Sequence, residues 1–135
     1  MAAFVPLEIL NLTASIPYNF KADSRVFANG YQSWTECREM FKDERQSHTF
    51  GPISFAYRRT LLGAAGAYTF DDNVSRRGVF QGFSYMYVRN GEEYDLFASL
   101  TERTGYTIFT ADFNSNMITV QKDLEGVIVD GEYEV

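Results

Sequence analysis

Cysteine, tryptophan and histidine occur once each in this 135-residue chain, as Cys37, Trp34 and His48. A single cysteine excludes an internal disulfide, and one Cys with one His falls short of the roughly four ligands of a structural zinc site. No segment reaches the roughly 18 consecutive apolar residues that cross a bilayer as a helix. Positive charge is also in short supply, with 12 Lys and Arg against 18 Asp and Glu and a formal net charge of −6. Such a chain repels the phosphate backbone of a nucleic acid. The pairs Arg58-Arg59 and Arg76-Arg77 are isolated and read as surface solvation. Met1-Ala2-Ala3-Phe4-Val5-Pro6 places no basic stretch ahead of a long apolar run, so no secretory signal is expected and the setting is read as cytoplasmic. Asn11-Leu12-Thr13 and Asn73-Val74-Ser75 fit the glycosylation pattern, and without a leader they are read as chance.

What the chain has in quantity is aromatic residues, 16% of the total, from 12 Phe and 9 Tyr beside the one Trp. With 45% hydrophobic residues this excludes a disordered chain and fits β-sheet and sugar-binding proteins. The length suits one domain, residues 1–135, with a real core. Period-2 alternation predicts strands at Ile53-Ser54-Phe55-Ala56-Tyr57 and Ala67-Tyr68-Thr69-Phe70, the latter before an Asp71-Asp72-Asn73 turn. Residues 82–88 and 94–100 flank Asn90-Gly91, the strongest short-range hairpin signal in the chain. Residues 106–110 and 117–121 form a second expected hairpin through Asp112-Phe113-Asn114-Ser115-Asn116. Residues 7–11 and 25–28 are further expected strands, and Val127-Ile128-Val129 is expected to turn at Asp130-Gly131. Residues 35–46 alone have helix-like content, with Cys37, Met40 and Phe41 near helical spacing, and are expected as a loop with one or two helical turns. The fold class is therefore all-β, an antiparallel β-sandwich. The last four residues, Glu132-Tyr133-Glu134-Val135, read as a strand just launched by a turn, so a piece of a longer protein is expected.

Catalytic constellations are thin. Cys37 and His48 lack an orienting third group and a marked oxyanion site, and read as a thiol and a loop histidine. Glycoside hydrolysis takes two carboxyl groups at a fixed separation. Asp43 with Glu44, Asp71 with Asp72, and Glu92 with Glu93 are adjacent pairs in charged loops, which read as solvated turns. Gly63-Ala64-Ala65-Gly66 lacks the Lys and Ser/Thr of a phosphate loop. No catalytic residue, metal site or cofactor is expected.

Asn29-Gly30-Tyr31-Gln32-Ser33-Trp34 differs in kind. Tyr31 and Trp34 give flat apolar faces, Asn29 and Gln32 give amides, and Arg38, Asp43 and Arg45 give charged groups within a few residues. A sugar is bound by such a set, its C–H face stacked and its hydroxyls hydrogen-bonded. The same residues also suit packing, with Tyr31 and Trp34 under one end of a sandwich and Gln32 tying down a turn, and composition alone favours packing.

The run Val26-Phe27-Ala28-Asn29-Gly30-Tyr31-Gln32-Ser33-Trp34-Thr35-Glu36-Cys37-Arg38-Glu39 resembles a signature segment near the start of bacterial α-galactosidases of glycoside hydrolase family 36 and their melibiase-like relatives. Residues 82–89, 97–109 and 118–126 resemble later strands of the same domain, so the likeness runs in order over residues 7–135. The resemblance implies an N-terminal β-supersandwich of galactose-mutarotase type, followed in such enzymes by a (β/α)8 barrel holding the two catalytic aspartates and by a C-terminal β domain. No position here matches either aspartate. The chain then serves as a non-catalytic domain that supports the barrel, its loop of Asn29, Tyr31, Gln32, Trp34, Arg38, Asp43 and Arg45 walling the sugar pocket or a subunit interface. The expected partners are the barrel, an α-galactoside in the parent enzyme, and further copies of the chain through strand pairing near residues 127–135, with neither nucleic acid nor membrane. Trp34 is expected at that surface, partly accessible. The alternative is a free-standing carbohydrate-binding or protein-interaction sandwich.

Overall fold

The computed structural model describes residues 7–29, 37–46, 76–103 and 105–129. These form eight strands: β1 (Leu7–Pro17), β2 (Arg25–Ala28), β3 (Arg38–Phe41), β4 (Val79–Phe83), β5 (Tyr85–Asn90), β6 (Glu93–Ala98), β7 (Tyr106–Asp112) and β8 (Met117–Val129). They build two four-stranded antiparallel sheets, ordered β1-β8-β7-β4 and β3-β2-β5-β6. The fold is an all-β antiparallel sandwich, and the described residues contain no helix. Among them, no helix is long and apolar enough to cross a membrane.

Alternation builds the core. On β2, Val26 and Ala28 are buried while Arg25 and Phe27 point away; on β7, Thr107, Phe109 and Ala111 are buried between outward residues. Val26, Ala28, Met40, Met86 and Val88 from one sheet meet Phe80, Phe109, Ala111 and Ile118 from the other in a single buried cluster. Each large side chain buried in this way contributes about 1.5–3 kcal/mol. One end of the sandwich is closed by rings: Phe20 stacks on Phe113 at 4.2 Å, and Tyr18 lies 4.7 Å from Phe20. The Tyr18 hydroxyl donates to Asp95 and accepts from Asn90 Nδ2 at 2.8 Å.

The hairpin expected at Asn90-Gly91 forms with its loop one residue later, at Gly91-Glu92: Asn90 is the last residue of β5, opposite Glu93, and only Gly91 has a positive φ, 65°. The hairpin of β7 and β8 also forms. Two expectations are corrected. Residues 82–88 are not one strand: the chain breaks at Ser84, φ 65°, and passes from β4 in one sheet to β5 in the other. A Cβ on Gly82 would lie 2.7 Å from the Tyr85 carbonyl oxygen, so any larger residue there forces the backbone of the crossing to shift. Residues 38–41 are a strand, not helical turns, because Arg38 to Phe41 pair with Ala28 to Arg25 and bury Met40 alone.

The strand expected at residues 7–11 continues to Pro17, held by β8 although Leu12 and Ile16 stay exposed. Val127-Ile128-Val129 belong to the long strand β8, where they pair with Ile9, Glu8 and Leu7 of β1. The strands expected at residues 53–57 and 67–70, and the turn at Asp130-Gly131, lie outside the described residues.

Candidate functional site

The outer face of the β3-β2-β5-β6 sheet carries the densest chemistry near the segment that begins at Asn29. Strand alternation puts Arg25 and Phe27 of β2, Glu39 and Phe41 of β3, and Tyr85, Tyr87 and Arg89 of β5 on this one face. Phe27 lies between Tyr87 and Tyr85, with centroids 4.9 and 5.9 Å away and ring planes within 8° and 16° of parallel. Tyr94 from β6 meets Tyr87 edge-on at 5.5 Å. The outermost members stay open to solvent, Tyr94 at 61% and Leu96 at 66% exposure.

A charged cluster sits at the centre of the same face. Glu39 Oε1 accepts from Arg89 Nε at 2.9 Å and from the Tyr87 hydroxyl at 3.1 Å. Its other oxygen accepts from Arg89 Nη2 at 2.5 Å and faces Arg25 Nη1 at 3.7 Å. Arg25 also lies over the Phe41 ring, 4.1 Å from its centroid. The Arg89 hydrogen bonds hold the Glu39 carboxyl below its ordinary range, against the opposing pull of burial. Burial, and then the bond to Glu39, pushes the Tyr87 phenol up. A carboxylate fixed in its charged form by a guanidinium fork does not serve as a general acid. The arrangement organises a surface, holding Glu39, Arg89, Tyr87 and Arg25 in one hydrogen-bonded and charged cluster.

Of the residues singled out in the sequence, Arg38 lies at the rim. Its Nη2 is 2.9 Å from Glu44 Oε1 and its Nη1 donates to the Glu39 carbonyl at 3.0 Å. Glu44 also accepts from the Phe41 amide at 2.7 Å, and the Arg38 hydrogen bond leads the effects that hold its carboxyl low. Asp43 and Arg45 are exposed in the turn after β3. Asn29 is placed differently, at 6% exposure, with both ends of its amide committed to backbone. Its Oδ1 accepts from Phe83 N at 2.5 Å and its Nδ2 donates to Tyr85 O at 3.0 Å, which pins the crossing between β4 and β5. Tyr31, Gln32, Trp34 and His48 lie outside the described residues, and Cys37 is an exposed free thiol. Among the described residues no group of three His, Cys, Asp or Glu is placed to hold a metal ion.

Sequence reasoning missed Glu39, Arg89 and the Phe27, Tyr85 and Tyr87 ladder as one constellation. The signal available was the i, i+2, i+4 spacing of Tyr85, Tyr87 and Arg89, which marks one face of a strand. Glu39 was hidden by the helical reading of its segment. No protein-family model matches the chain, and comparison with curated proteins and with solved structures finds no match.

Proposed function

We propose that the chain is a non-catalytic N-terminal β domain of an α-galactosidase-like glycoside hydrolase, acting in the cytoplasm as part of a homo-oligomer. The observation that carries this reading is the sequence of residues 26–39, which starts on the strand that supplies Phe27 to an exposed aromatic face. In this reading the domain belongs to a supersandwich, and the open ring and leucine surface of Tyr94 and Leu96 is the kind of apolar patch that a neighbouring domain covers. The loop of Tyr31, Gln32 and Trp34, with Arg38, Asp43 and Arg45, then walls the sugar pocket or a subunit contact of the parent enzyme. Asn29, which directly precedes that loop in sequence, is tied to Phe83 N and Tyr85 O.

The test is to express the complete reading frame that contains this chain and assay its product on aryl α-galactosides. Turnover that is lost when either of two aspartates outside this chain is substituted supports the proposal. A product that binds saccharides without hydrolysing them, or that lacks a barrel, overturns it in favour of a free-standing module.

A further inference from the structure

The outer face of the other sheet carries a polar row that nothing in the proposed parentage uses. Ser15 on β1 stands opposite Thr119 on β8, Thr119 opposite Thr110 on β7, and Thr110 opposite Gln81 on β4. One hydroxyl or amide from each of the four strands thus lies in register across the sheet. The row lines a depression of about 300 Å³, flanked by Gln121 on one side and by the apolar Val79 and Met117 on the other. That volume is at the lower end of the range for small-molecule sites, roughly 300–1,000 Å³.

Gln81 marks this depression as more than a solvated sheet face. The residue is 5% exposed, and its Oε1 has no hydrogen-bond partner, while its Nε2 reaches Thr110 Oγ1 only at 3.3 Å. Exchanging the two ends of the amide moves the deficit from one atom to the other without removing it. A buried amide atom left unpaired is costly, and the broad terminal torsion of a glutamine lets the amide turn toward an incoming group. The Gln81 backbone is itself fixed: its N–H donates to Gln46 Oε1 at 2.6 Å and its C=O accepts from Gln46 Nε2 at 2.9 Å. At the far end of the row Ser15 and Thr119 share a hydrogen bond of 2.8 Å.

Among the described lining residues the charges balance, one carboxylate against one guanidinium. The carboxylate, Asp112, is occupied by the Asn114 amide at 2.8 Å and the Ser115 hydroxyl at 2.9 Å, and the guanidinium is that of Arg76. What remains are hydroxyls and amides, which both donate and accept, beside a small apolar flank. A ligand rich in hydroxyls, with C–H surface between them, complements such a lining. We propose that this groove binds a neutral polyhydroxylated ligand, a saccharide ring or an acyclic polyol, laid across Gln81, Thr110, Thr119 and Ser15.

The proposal stands apart from the α-galactosidase reading, so failure of either leaves the other intact. The experiment is an amide-resolved NMR titration of the isotopically labelled chain with D-galactose, D-glucose and sorbitol, and with inorganic phosphate as the anionic control. Saturable shifts centred on Gln81, Thr110, Thr119 and Gln121, with a millimolar dissociation constant, are expected. Saturation by the two hexoses alone assigns a ring site, and saturation by sorbitol as well assigns a polyol site. Gln121→Ala and Thr110→Val should each weaken binding by about tenfold, the loss expected for one hydrogen bond. No saturable shift with any of the three, saturation by phosphate alone, or binding unchanged in both variants overturns the proposal. Thr119→Val gives an independent check should Thr110→Val fail to fold.

Discussion

Arg89 on β5 grips Glu39 on β3 across the intervening strand β2, with Nε 2.9 Å from Oε1 and Nη2 2.5 Å from Oε2. The fork ties three strands together on the outer face and carries Tyr87 and Arg25 with it. Two-pronged guanidinium–carboxylate bonds of this kind fix geometry as well as adding energy.

Acid should undo this fork. The folded-state pKa of Glu39 is depressed, chiefly by the Arg89 bonds. Its stabilising contribution is therefore present above the unfolded carboxyl pKa of about 4.3 and is lost as pH falls from there through the lower folded value. Urea midpoints measured at pH 7 and pH 3 should show a smaller acid loss in Glu39→Gln than in the unaltered chain. Glu44, held low first of all by its Arg38 hydrogen bond, titrates in the same direction and keeps part of the effect in that variant.

Asn29→Ala removes the acceptor for Phe83 N and the donor to Tyr85 O at the point where the chain changes sheets. A loss of about 2 kcal/mol is expected from chemical denaturation, the scale of a lost buried polar link. Asn29→Asp keeps the acceptor and should recover part of it. If Asn29→Ala left stability unchanged, Asn29 would be free for a ligand role.

Gly82→Ala tests the crossing itself. The new methyl would meet the Tyr85 carbonyl oxygen at 2.7 Å and Met86 Cβ at 3.1 Å, and backbone cannot yield as a side-chain tip does. A destabilisation of about 1–3 kcal/mol is expected by thermal or urea unfolding.

Tyr18 should titrate late. Burial, followed by its hydrogen bond to Asp95, raises its pKa to about 12. An acid whose folded pKa lies above the unfolded value of about 10 adds stability that is complete below pH 10 and is lost as pH rises toward 12. The difference in tyrosinate absorbance between the unaltered chain and Tyr18→Phe, followed while far-ultraviolet dichroism reports the fold, should rise near pH 12. A difference centred at pH 10 would show that neither the burial nor the bond to Asp95 acts on Tyr18.

The isolated chain should not hydrolyse aryl α-galactosides, since none of its positions matches the aspartate pair that reaction uses. Turnover that persists through repurification, and that disappears when an acidic residue of this chain is substituted, would contradict that expectation.

The amino-acid sequence alone determined the fold class and the existence of the β5-β6 and β7-β8 hairpins. Alternation in Arg25-Val26-Phe27-Ala28 and in residues 106–112, and the Asn90-Gly91 turn, depend on neighbours a few positions apart, so they are legible along the chain. Tertiary structure decided what depends on distant partners. Residues 38–41 have weak strand preference and become β3 only because β2 offers them a paired edge and a place for Met40. The break at Ser84 follows from two sheets competing for one apolar run, with Gly82 giving the room and Asn29, 54 positions away from Phe83, holding the corner. The aromatic and charged face, and the polar row from Ser15 to Gln81, arise from strand register: spacing connects Tyr85, Tyr87 and Arg89 on one strand, but only pairing brings them to Phe27 and Glu39, or Ser15 to Thr119, Thr110 and Gln81.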